Sequence, residues 1–185
     1  MVKKKQAGTQ SVYGSGPKDL RVETHTLSVL VDNEPGVLAR VIGLFSGRGY
    51  NIESLTVAET DHANNLSRVT VICSGTPLVI EQIKNQLDRL VPVHRVSDLT
   101  LEGAHVEREL ALVKVNSIGE KRIEALRTAD IFRARVLDST ADSYVFEITG
   151  STKKVNAFID LMRGLGMIDL SRTGVAAMSR GAKAI

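Results

Sequence analysis

The stretch HTLSVLVDNEPGVLARVIGLFSGRG, residues 25–49, decides how the rest of the chain is read. Its first seven residues, rich in Leu and β-branched side chains, predict a buried strand. Asp32-Asn33-Glu34-Pro35-Gly36 then forms a turn and helix-start signal, since Asx residues cap helices and Pro is tolerated in the first turn. Val37, Leu38, Val41, Leu44 and Phe45 follow at helical spacing. Gly47 and Gly49 stop the helix, one of them in the left-handed conformation.

Working outward, Asn51–Thr60 and Leu66–Cys73 predict a hairpin closed by a turn at His62–Asn65. Thr76-Pro77 opens a second helix with the stripe Val79, Ile80, Ile83, Leu87 and Leu90. Pro92 breaks it, and Val93–Val96 adds a short strand. The order is βαββαβ. From Glu109 the pattern recurs: a strand over 109–115, a helix over Ser117–Ala129 carrying Ile118, Ile123 and Leu126, a hairpin from Phe132–Asp138 and Tyr144–Gly150, a helix capped by Ser151 or Thr152, and a strand over Met167–Leu170. The fold class that follows is α+β, two ferredoxin-like βαββαβ units. Residues 1–23 read as a disordered extension, 24–98 as the first unit, 99–107 as a linker and 108–185 as the second unit. Two helices on one sheet face leave the other face or the sheet edges uncovered. Units this small bury little surface alone, so pairing within and between chains is expected, with a dimer as the minimum.

Composition narrows the function. The chain has 185 residues, 43% hydrophobic and 24% charged, which suits a globular protein. No segment reaches the ~18 apolar residues of a membrane span, and the basic start is followed by no apolar core of a secretory signal; a cytoplasmic location is expected. The single Cys73 excludes a disulfide framework and a multi-thiolate metal site. The net charge of +3 resides in the tail, where Lys3, Lys4, Lys5, Lys18 and Arg21 face only Asp19, so the body offers no basic face for nucleic acid. The hairpin strands also lack the aromatics with which a ferredoxin-like module stacks RNA bases.

No nucleophile, base and orienter can be grouped, and His25, His62, His94 and His105 have no metal-ligand spacing; structural or solvent roles are expected for them. Cys73, ending an apolar strand, reads as a buried small hydrophobe. The turn 32–36 is the exception. It places unpaired N–H groups at a positive helix end, where a carboxylate or phosphate binds. Gly36 lets a ligand approach the backbone, and Asn33 supplies an amide able to donate or accept. Local physics alone serves an ordinary capping turn equally well.

Residues 27–38 resemble the opening strand, turn and helix of ACT domains, the amino-acid-sensing ferredoxin-like modules. The run RVIGLFSGRGYNIESLTV (40–57) is more specific and resembles the small regulatory subunits of acetolactate synthase, also called acetohydroxyacid synthase. LSRVT (66–70), LVPVHRV (90–96), GAHVEREL (103–110) and the terminal Ser179-Arg180-Gly181 agree with it. The resemblance implies that the first unit is an ACT domain and the chain a non-catalytic subunit in branched-chain amino acid biosynthesis. It implies activation of a thiamine-diphosphate-dependent catalytic subunit and feedback inhibition by valine or another branched-chain amino acid. It implies no cofactor in this chain, with thiamine diphosphate, Mg and FAD belonging to the catalytic subunit. The effector site it implies lies between the ACT domains of a homodimer. Asn33 and Gly36 would meet the effector's carboxylate and amine from one chain, and Asn51 and Ile52 would close the site from its neighbour. Val37 and Leu55 would face the aliphatic side chain. The alternative is a stand-alone ACT regulator of another enzyme or of transcription, for which the near-neutral body supplies no DNA-reading face.

Overall fold

The computed structural model describes residues 21–182; the expected N-terminal extension lies, up to residue 20, outside the described residues. The first unit runs β1 (Glu23–Asp32), α1 (Val37–Ser46), β2 (Ile52–Asp61), β3 (Leu66–Gly75), α2 (Pro77–Leu87) and β4 (Val93–Asp98). Its antiparallel sheet has the order β2-β3-β1-β4. Leu27 pairs with Val71 and Val29 with Val69, so alternation puts Leu27, Val29, Val31, Val69, Val71 and Cys73 on one face. The α1 stripe Val37, Val41, Phe45 and the α2 stripe Ile80, Ile83, Leu87 close over that face as one core. Burial of each such side chain is worth ~1.5–3 kcal/mol. The sequence period and the packed face therefore coincide. The β2–β3 hairpin turn is held by Asp61, whose carboxyl the Asn64 side chain and backbone N–H keep below the usual carboxylate range.

The second unit repeats the order: β5 (His105–Asn116), α4 (Glu120–Phe132), β6 (Arg135–Ser139), β7 (Ser143–Gly150), α5 (Thr152–Gly164) and β8 (Met167–Arg172), with strand order β6-β7-β5-β8. Phe146, Phe158, Ile148 and Met162 are fully enclosed in its core. Ser151 caps α5 through a bond from the Lys154 N–H to its Oγ, as its position before the apolar stripe predicts.

Several elements depart from the sequence reading. The first strand begins at Glu23, opposite Gly75. Helix α4 starts at Glu120, not Ser117, because Gly119 turns the chain at φ +61°. Its buried face is Ala125, Thr128 and Ala129, with Leu126 packed against the same core, while Ile118 and Ile123 are exposed; of the predicted stripe only Leu126 faces inward. The segment expected as a linker is itself structured. Asp98 accepts N–H bonds from Thr100 and Leu101 and caps a short helix, α3 (Leu99–Glu102), and β5 already begins at His105. An unforeseen strand, β9 (Ala176–Ser179), pairs with the first residues of β5.

This C-terminal segment answers part of the uncovered-face problem. On the side of the first sheet away from its helices, the small polar residues Thr26, Ser28, Thr70 and Ser97 are buried. There Ile72 packs with Leu99, Val175 and Ala177 as a third apolar cluster that joins the units.

Candidate effector site

The β1–α1 turn is built by backbone bonds to its neighbours. Asp32 N–H donates to Pro92 O at 2.9 Å and Asn33 N–H to Asn65 O at 2.7 Å. Asn65 Nδ2 returns a bond to Asn33 O, and Ser67 Oγ donates to Asn33 Oδ1 at 3.0 Å. The Asn33 side chain is thereby turned one way. One of the two acceptor sites of its oxygen is taken by Ser67, and its amide N–H groups are the donors it offers a ligand carboxylate. Ser67 and Asn65 are supports that the sequence did not reveal, since only the β1–β3 register brings them beside Asn33.

Gly36 is the N-cap of α1, in the left-handed region at φ +86°, and its side-chain position faces open space. Among the described residues, no side chain caps the helix. Val37 N–H reaches back to Glu34 O at 3.3 Å, and Arg40 N–H closes the first helical bond to Gly36 O at 3.0 Å. The amides of Leu38 and Ala39 thus sit in an exposed first turn at the positive end of the helix. Beside them His94 Nε2 lies 2.6 Å from Asp32 Oδ1.

Of the other nominated residues, Val37 is 4% exposed and belongs to the core. Its side chain packs inward beneath the turn. Leu55 is half-buried opposite Val71. Asn51 and Ile52 lie far from Asn33. Ile52 pairs with Cys73, which pairs with His25, whereas Asp32 pairs with Leu66, which pairs with Asp61. The two groups are at opposite ends of the sheet, about 23 Å apart along β1 at ~3.3 Å per residue. One chain brings Asn33 and Gly36 together and does not bring Asn51 and Ile52 to them.

Elsewhere the titratable groups are engaged in structure. His25 is buried with Asp98. Cys73 is fully buried, and burial, aided by the charges of Asp98 and Glu53, pushes its thiol up to about 11. Among the described residues, no group of three or more His, Cys, Asp and Glu could hold a metal ion, and no helix is long and apolar enough to cross a membrane.

Comparison with known proteins decides the family. Residues 27–95 match the AHAS small subunit-like ACT domain and residues 108–181 match the model of the small subunit of acetolactate synthase. The chain belongs to the acetolactate synthase small-subunit family. It is 51% identical over 159 residues to a probable acetolactate synthase small subunit of Archaeoglobus fulgidus, covering 86% of this chain and 98% of that protein. It is 49% identical over 158 residues to the acetolactate synthase isozyme 3 small subunit of Escherichia coli, covering 85% and 96%. A crystal structure of the acetolactate synthase small subunit from Thermotoga maritima superposes with a TM-score of 0.79 at 39% identity, covering 87% of this chain and 99% of that one. As a member of the acetolactate synthase small-subunit family, the chain has an ACT domain as its first unit, and the diagnostic run 40–57 lies within it.

Proposed function

We propose that this small subunit acts without chemistry of its own. It binds and activates a thiamine-diphosphate-dependent catalytic subunit in the cytoplasm, and it makes that subunit sensitive to valine or another branched-chain amino acid. Thiamine diphosphate, Mg and FAD belong to the catalytic partner; the interaction is with protein and amino acid, not with nucleic acid or membrane. The observation that carries this reading is the α1 N-terminus. Its capping position is a left-handed glycine with open space above it, and the side-chain oxygen of Asn33 beside it is held by Ser67. A free amino acid needs an anion site, an ammonium partner and an apolar pocket. The helix amides and Asn33 would take the carboxylate, and backbone oxygens of the turn would take the ammonium.

Closure of the site would come from a second chain. The ~23 Å between Asn33 and Ile52 along one sheet supports a homodimer in which Asn51 and Ile52 of the neighbour approach the turn. Leu55 would bound the aliphatic side chain, and Val37, packed in the core, would floor the turn from below. A ligand held in such a seam favours one arrangement of protomers over another, and only that difference can reach the partner. Coupling of ~1–3 kcal/mol would change the catalytic subunit's response roughly 5- to 150-fold. The test is titration of the catalytic subunit with this chain, with and without valine, alongside calorimetry of valine binding. Stimulation that valine reverses is expected. Absence of stimulation, or a chain that remains monomeric, rejects the reading.

A further inference from the structure

Four consecutive residues, from the last residue of β8 onward, are fastened first to one unit and then to the other. Arg172 grips the buried Glu109 with two bonds, Nε to Oε2 at 2.8 Å and Nη2 to Oε1 at 2.5 Å. Thr173 N–H donates to Leu110 O at 2.9 Å, and Leu110 N–H donates to Thr173 Oγ1 at 3.0 Å. Both ties are to β5, in the second unit. At the next residue the allegiance changes. A Cβ added to Gly174 would collide with the Leu55 carbonyl oxygen and lie 2.5 Å from Thr56 Oγ1 and 2.8 Å from the Leu55 carbonyl carbon. The glycine backbone therefore rests directly on the backbone of β2, in the first unit. Val175 N–H then donates to Ser54 Oγ at 2.8 Å, and its side chain, 3% exposed, enters the cluster with Ile72 and Leu99.

We propose that this strap, residues 172–175, is the link through which effector occupancy at the protomer seam is passed to the second unit. The inference rests on the effector reading above, which places Ile52 and Leu55 of β2 at the seam. β2 is one of the two edge strands of the first sheet, and it is the one the effector reading places at the seam, where a neighbouring chain can displace it. Backbone pressed on backbone cannot absorb a displacement as a flexible side chain would, because packed interiors transmit strain. A movement of Leu55 of a few tenths of an ångström must move Gly174 or open the contact. Through Thr173 and the paired Arg172 and Glu109, moving Gly174 moves β5, the central strand of the second unit. Only glycine permits the contact, and the Ser54 hydroxyl pins it in place.

The test uses the full-length chain reconstituted with the catalytic subunit, comparing wild type with Gly174→Ala and Ser54→Ala, and valine as the probe. Ser54→Ala removes one hydrogen bond and leaves the packing, so it decides the matter should Gly174→Ala fail to fold. Coupling is reciprocal: in wild type, the catalytic subunit should shift valine affinity, and valine should shift activity. Both variants should bind valine within about threefold of wild type when alone and should still stimulate the catalytic subunit. Their inhibition at saturating valine should fall to about half or less, and the catalytic subunit should no longer shift their valine affinity by the typical fivefold or more. Inhibition and affinity shift of wild-type size in both variants would overturn the strap while leaving the effector site standing. A wild-type chain that binds neither valine, leucine nor isoleucine would overturn the effector reading and the strap's role with it.

Discussion

His25 Nδ1 lies 2.9 Å from Asp98 Oδ2, with both side chains buried and the two residues brought together from the first strand and the last strand of the ACT domain. The carboxylate accepts, so the proton on Nδ1 is assigned from its partner. The other oxygen of Asp98 caps α3. One side chain therefore ties the sheet to the connection between units.

Asp98→Ala should destabilise the chain by about 3 kcal/mol, because it strands a buried imidazole and uncaps a helix. In a protein of this size that corresponds to a fall in Tm of roughly 6–12 °C. Urea and thermal unfolding measure it. A loss below about 1 kcal/mol, the size of an exposed pair, would show that the pair holds little.

Cys73 should resist thiol reagents in the native protein at pH 8 and react once unfolded, since its thiol is raised from 9.0 to about 11 by burial and by Asp98 and Glu53. The sign for stability follows from linkage. Below pH 9 the thiol is protonated in both states and contributes no slope. Above it the unfolded thiol ionises first, so stability falls as pH rises towards 11. Cys73→Ala should remove that part of the alkaline slope. Rapid labelling of the native protein would contradict the assignment.

Gly36→Asp should abolish the valine response, since a carboxylate at the helix head competes for the amides a ligand would use. At φ +86° any side chain is strained, so a stability cost of about 1 kcal/mol accompanies it. Gly36→Asn tolerates the same backbone without the charge and should retain a measurable response. Inhibition curves of the reconstituted complex separate the two; an unchanged curve for Gly36→Asp places the effector elsewhere.

Asn33→Ala should weaken valine binding by ~1–3 kcal/mol, the cost of losing a partner for a polar ligand group. Because Ser67 donates to Asn33 Oδ1, Ser67→Ala should weaken binding less, through a looser Asn33. Wild-type affinity for Asn33→Ala, measured by calorimetry, removes Asn33 from the site.

Much of the fold was legible because its signals are local. The strand, capping turn and helix of residues 25–49 depend on side-chain period and on glycine and proline chemistry, and the same reasoning located the hairpin and the Ser151 cap. It succeeded only in part at α4, where Leu126 faces the core as expected but Ala125, Thr128 and Ala129 form the buried face and small side chains leave a faint apolar period. At the candidate site, Asn33 and Gly36 were visible as a turn motif, but the Ser67 bond to the Asn33 side-chain oxygen depends on strand register.

What residues 25–181 determined unaided was the paired βαββαβ order and the turn that heads the first helix, since each is written in neighbouring residues; the same residues carried the resemblance that comparison with known proteins turned into a family. Tertiary structure alone decided that Asp98 joins His25, that β9 pairs with β5 and sends Ala177 against Ile72, and that Gly174 rests on Leu55. These contacts join residues dozens or more than a hundred positions apart, and no local periodicity encodes which distant surfaces meet. The contact of Gly174 with Leu55 further depends on the shared burial of Ile72, Leu99, Val175 and Ala177, which joins the two units.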